Sequence, residues 1–238
     1  MVRYIKDKTG RFDTRPYYEP EELDSECEKI ITDLMTAKFG GMKLPIPTDA
    51  LTVLIEQDVE NLDIYADLSS LGDSVEGVTD FFSGKKPKVR ISDSLSGASN
   101  LENRFRTTLT HEYGHVKFHN YLFSMEKSFS LFPDANEQKT HHCKRDTIVN
   151  ASRADWMEWQ AGYVCGSILM PHTRIKNAVI DFRSQRSSSL DLALGETNTH
   201  TLINQIASTF RVSEEAAKIR LLKLTYITDQ KDSVPLLK

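Results

Sequence analysis

His111, Glu112 and His115 stand together as His-Glu-Tyr-Gly-His, two imidazoles four residues apart with a carboxylate directly after the first. On an α-helix, positions i and i+4 lie on one face with Cβ atoms about 6 Å apart, so both rings can reach a single tetrahedral ion. That spacing is a zinc-peptidase signature. Glu112 is too close in sequence to His111 to make a good third ligand. It is well placed to take a proton from a water held by the ion and to hand it to a leaving amine. The plainer alternative is a surface helix carrying two His and a Glu as solvated polar residues.

Two imidazoles leave a zinc site incomplete, so another element should supply a third ligand. Ser152 to Met170 reads as a helix, with Ser152 and Asp155 at capping-box spacing and Pro171 at the far end. Glu158 lies one turn inside it. Ala161 and Gly162, one turn further on, are small enough to let this helix approach the His helix and bring the carboxylate to the metal. Otherwise Glu158 is a solvated carboxylate, and Trp156, Trp159 and Tyr163 are core aromatics. His119 continues the face of His111 and His115, but it stands about 12 Å from His111 along the axis, so all three cannot bind one ion. It reads as a support for a ligand or as a structural residue, the alternative being contact with substrate. No Gly-x-x-His follows His115, which favours a carboxylate over a third His as ligand.

The stretch Thr107 to His119, then Glu158 to Tyr163, Leu169-Met170-Pro171 and Ala207 to Leu222, resembles the ImmA/IrrE metallopeptidase family. The resemblance covers roughly residues 45 to 225, with the motifs in the family's order. Thr110 replaces the usual Ala, Tyr113 replaces Leu, and Gly162 and Tyr163 stand where Asn-x-Phe is frequent; none of these is a proposed ligand. The resemblance implies a gluzincin-like site with His111, His115 and Glu158 around one catalytic zinc ion and Glu112 as general base. A donor for the oxyanion is also needed, and Tyr163, His172 or His119 could supply it. The fold implied is α+β and zincin-like, a small, mostly antiparallel sheet beside the metal helix with a helical C-terminal region.

The elements that must position these residues follow from pattern. Pro20, Glu21 and Glu22 make a favourable first turn for a helix whose stripe is Leu23, Cys27, Ile30, Ile31, Leu34 and Met35, and Gly40-Gly41 stops it. A second helix spans about 49–57. Strand-like runs follow at 62–68, 75–82 and 87–92. In zinc peptidases such a sheet lies beside the metal helix, and an edge strand can pair with an extended peptide. The metal helix runs from Leu101 to about Leu122, with Leu101, Phe105, Leu109, Tyr113 and Val116 toward the core and a polar opposite face. Residues 1–19 have few periodic apolar positions and read as a surface wrap or a mobile segment. Phe123 to Ala151 reads as a polar connection, a lid or flap. Its His141-His142-Cys143 invites a second metal, but Lys139, Lys144 and Arg145 disfavour a cation there.

After Pro171 come a helix at 173–182, a Ser-rich loop, and helices near 201–210 and 213–224 that resemble a helix-turn-helix. Arg211, Lys218, Arg220 and Lys223 add positive charge, while Glu214 and Glu215 at the start of the would-be recognition helix would repel a phosphate backbone. Packing on the peptidase is favoured over DNA binding. The chain thus divides into an extension and lead-in helix (1–44), a zinc metallopeptidase domain (45–195), a helical C-terminal part (196–228) and a tail (229–238).

The net charge of -4 argues against a protein devoted to coating nucleic acid. The charged, polar first residues read as neither a secretory signal nor a membrane span, and three Cys without close spacing suit a reducing, cytoplasmic setting. By resemblance, the substrate is a protein, a helix-turn-helix repressor of a mobile element or stress response, whose cleavage derepresses genes. The competing readings are a DNA- or repressor-binding regulator that acts without proteolysis, and a toxin-like or element-encoded protein held inactive by a partner.

Overall fold

The computed structural model describes residues 3–72, 74–126, 138–144, 155–186 and 192–229. The chain divides into two compact units, Met1–Leu169 and Met170–Lys238. The fold class is α+β, zincin-like, with small, mostly antiparallel sheets.

In the first unit, α1 (Pro20–Phe39) starts where Pro at N1 pre-sets φ and where Glu19 and Glu22 form a capping box. It ends where Gly40 takes a left-handed φ of 73° and its N–H reaches Thr36 O at 2.9 Å. Leu23, Cys27, Ile31 and Met35, spaced by four, form its fully buried stripe. Helix α2 (Thr48–Glu56) follows. Strands β3 (Asn61–Ala66), β4 (Val75–Phe82) and β5 (Lys88–Ser92) then build a sheet. Its order is β3-β5-β4-β6, with β3 parallel to β5 and the other two pairings antiparallel. A short helix α3 (Asp93–Ser96) leads on to α4 (Glu102–Glu126), which carries the His-Glu-x-x-His sequence.

Helix α4 has the expected core-facing side, but its polar side is buried as well. Leu109, Tyr113 and Val116 are buried, and so are Arg106, Thr108, Thr110, His111, Glu112, His115 and His119 on its polar side. Both faces are covered, by β4 and by α5 (Trp156–Leu169). Burying the Leu109 and Val116 side chains contributes about 1.5–3 kcal/mol each. The polar side chains are instead held by partners. Arg106 donates to Ile46 O and to Thr48 Oγ1, and Thr110 donates to Arg106 O at 2.8 Å.

Two segments differ from their sequence reading. Residues 3–17 are not a loose wrap: β1 (Arg3–Lys6) and β2 (Thr14–Tyr17) form an antiparallel hairpin with Tyr4 opposite Pro16. Within the 123–151 connection, residues 138–144 are not loop but strand β6 (Gln138–Lys144), paired along β4 from Phe82↔Gln138 to Val75↔Lys144. Strand β4 is therefore interior, and among the described residues the sheet edges are β3 and β6. All three missed strands lack the apolar alternation that marks a half-buried strand in sequence.

The second unit contains α6 (His172–Ser184), α7 (Thr197–Phe210) and α8 (Glu214–Lys223). Arg211 turns the chain in a left-handed conformation, and Ser213 caps α8 by accepting from Ala216 N at 3.1 Å. Ile206, Phe210, Val212, Ala217 and Leu221 fill the space between the last two helices. Arg220, one of the expected surface cations, is buried and donates from Nε to Met170 O at 3.2 Å. Among the described residues no helix is long and apolar enough to cross a membrane.

Candidate active site

His111 and His115 lie on one face of α4, both fully buried, with their Nε2 atoms 3.1 Å apart. Glu158 arrives from α5 and places Oε2 3.2 Å from His111 Nε2 and Oε1 3.1 Å from His115 Nε2. The carboxylate reaches this far because α4 and α5 nearly touch. A methyl on Gly114 would lie 2.8 Å from Ala161 Cα, and Ala161 is one turn beyond Glu158 on the same face. Ala161 and Gly114 make the close approach, while Gly162, also expected there, is only half-buried.

The donor set fits a metal ion. Ligand atoms around a tetrahedral zinc at about 2.0–2.1 Å are separated by about 3.3 Å, close to the spacings of these three residues. Two neutral imidazole lone pairs and a carboxylate turned toward one buried point repel one another unless a cation or proton lies between them. Among the described residues this is the group of His, Cys, Asp or Glu that could hold a metal ion. Two imidazoles and a carboxylate suit zinc, and manganese, cobalt or iron accept the same set.

Glu112 lies against β4, where the Thr79 hydroxyl donates to its Oε2. Opposite it stands Gly77, at which any Cβ would collide with the Glu112 carboxylate. The strand interior thus has a glycine where close approach requires it and a hydroxyl where a carboxylate needs a donor. Sequence reasoning missed both residues. The one signal was a glycine inside the strand-like run Val75 to Phe82.

The remaining expected site residues separate. His119 joins the cluster from behind: its Nδ1 lies 3.1 Å from His115 Nδ1 and its Nε2 lies 3.0 Å from Gln160 Oε1. The Tyr163 hydroxyl instead donates to Asp24 Oδ2 on α1 at 2.8 Å, and Ser167 donates to the other oxygen of that carboxylate at 2.7 Å. Tyr163 thereby ties α1 to α5. His172 begins α6 in the second unit, 3.2 Å from the Tyr226 hydroxyl. The backbone of His141, His142 and Cys143 pairs with Thr79, Val78 and Gly77, while their side chains lie outside the described residues, as does Ser152. Cys165 is buried beside Thr110 Oγ1, at 3.2 Å, as a small core residue.

Residues 89–222, more than half of the chain, match the family model of the IrrE N-terminal-like domain, Peptidase_M78. The chain belongs to this metallopeptidase family. Among curated proteins none matches it. The Peptidase_M78 match begins in β5 and ends in α8, so it contains His111, Glu112, His115 and Glu158. Gly77 and Thr79, which hold Glu112 from β4, and the β1-β2 hairpin precede it.

Proposed function

We propose that this chain is a cytoplasmic zinc-dependent endopeptidase with His111, His115 and Glu158 as metal ligands and Glu112 as general base. The convergence of three buried donor atoms beside a separately held Glu112 carries this reading. When bound, the ion supplies Lewis acidity, polarising the scissile carbonyl and making a water acidic enough to attack. Glu112 accepts the proton of the attacking water on its carboxylate and returns it to the amide nitrogen as the C–N bond breaks. Thr79 keeps the base oriented by donating to Oε2, and Gly77 leaves room for it. Burial of the whole set excludes bulk water and strengthens each of these interactions.

The substrate in this reading is a helix-turn-helix repressor, cut to derepress the genes of a mobile element or a stress response. Support comes from the family, whose members the sequence resembles in all three motifs. The competing regulator without proteolysis has one feature in its favour, the α7-α8 pair. Against it, Arg220 is buried and Glu214 and Glu215 are exposed at the start of α8. The test co-expresses the chain with a small repressor encoded beside its gene and compares wild type with Glu112→Gln. Cleavage and derepression by wild type alone are expected, and equal derepression by both would overturn proteolysis as the output.

A further inference from the structure

We propose that His119 is a positioning residue that fixes His115 in the tautomer a metal ligand needs, and that the N-terminal hairpin sets that tautomer through Gln160. The inference rests on His115 being a ligand and concerns what holds it. The links run from His115 Nδ1 to His119 Nδ1 at 3.1 Å, from His119 Nε2 to Gln160 Oε1 at 3.0 Å, and from Gln160 Nε2 to Pro16 O at 3.2 Å. All four residues are buried.

The direction of the protons follows from the far end. A backbone carbonyl can only accept, so the Gln160 amide group turns its NH2 toward Pro16 and its oxygen toward His119. An amide oxygen also only accepts, so His119 carries its proton on Nε2. The Nδ1 of a neutral His119 is then a bare acceptor, and one proton must lie in the 3.1 Å gap to His115. That proton belongs to His115 Nδ1. His115 Nε2 then presents its lone pair on the side that faces His111 Nε2 and Glu158. A carbonyl on β2 thus dictates, through three hydrogen bonds, which nitrogen of His115 can ligate.

The hairpin is fastened where this matters. Asp7 accepts from Thr9 N, Thr9 Oγ1 and Phe12 N within its own turn and from Trp156 Nε1, at 3.2 Å, on the first turn of α5. The Trp156 ring meets His119 edge to face at 5.4 Å, and Arg15 sits 5.3 Å over the same ring. Trp156 and Gln160, one turn apart on α5, thereby hold His119 from two sides. The hairpin lies outside residues 89–222, whereas His115, His119 and Gln160 lie within them.

The test uses the purified full chain and Zn2+ alone, with affinity measured by chelator competition and the His115 tautomer read from imidazole 15N shifts of the zinc-loaded protein. His119→Leu, which cannot accept, is expected to weaken zinc binding about 10- to 100-fold. His119→Asn keeps an acceptor near the Nδ1 position and is expected to recover most of that loss. Gln160→Leu is expected to weaken binding less than His119→Leu and to bring the second His115 tautomer into the spectrum. Unchanged affinity and an unchanged tautomer in both His119→Leu and Gln160→Leu would overturn the proposal, and so would equal losses in His119→Leu and His119→Asn. A failure of the metal site itself looks different: wild type would then bind Zn2+ no better than a Glu158→Ala variant.

Discussion

Gly114 on α4 and Ala161 on α5 are in backbone contact, so close that a methyl group on Gly114 would lie 2.8 Å from Ala161 Cα. The two residues set the distance between the helix that carries His111 and His115 and the helix that carries Glu158. Backbone atoms cannot move aside as the end of a flexible side chain can. Gly114→Ala should therefore push the helices apart, cost about 1–3 kcal/mol of stability, and weaken zinc binding by lengthening the reach of Glu158. Thermal denaturation of the metal-free protein and chelator competition measure the two effects separately.

Glu112 has no place among the three converging donors, so removing its charge should leave metal binding intact. Glu112→Gln is expected to retain stoichiometric zinc while peptide cleavage falls about 100- to 10,000-fold. Metal analysis of the purified variant beside a single-turnover cleavage assay checks the split. A variant that lost its zinc would place Glu112 among the ligands instead.

Thr79 and Gly77 act on the same carboxylate from β4. Thr79→Val removes the hydrogen bond to Oε2 with little change of volume and should slow cleavage between about 10- and 100-fold, the worth of one hydrogen bond to a charged group. Gly77→Ala drives a methyl into the carboxylate and should be more severe. Both variants are expected to keep wild-type zinc content.

Asp7 is the fastening of the hairpin, and its titration has a definite sign. Burial raises its pKa, but the donors Thr9, Phe12 and Trp156 outweigh this and hold the carboxyl below its ordinary value. A carboxylate with a depressed folded pKa stabilises the native state above the unfolded value, about 3.9, and that contribution disappears as pH falls through the folded pKa. Asp7→Ala should accordingly cost about 1–3 kcal/mol at pH 7, and the gap from wild type should narrow below about pH 4. Urea denaturation at pH 7 and pH 3 reads the difference.

Much of the chemistry was legible because it is local. The i, i+4 spacing puts His111 and His115 on one helical face whatever surrounds them, and Glu112 must then point elsewhere. The start of α1 at Pro20, its stop at Gly40 and the runs that became β3, β4 and β5 are likewise written in short-range patterns. The partner of Tyr163 was not legible in this way: its hydroxyl donates to Asp24, far away in sequence.

Residue types and spacing by themselves put His111 and His115 on one face of α4 with Glu112 beside them, and singled out Glu158 as a candidate third donor. What tertiary structure alone decided was how these groups are held: α4 buried on both sides, Gly114 against Ala161, Thr79 and Gly77 around Glu112, and Pro16 at the end of the line from His115 through His119 and Gln160. Each of those contacts joins residues from different elements, and four-residue strands such as β1 and β2 carry too few side chains to announce a partner. Local sequence specifies which atoms can react; only chain packing specifies which lone pair faces inward.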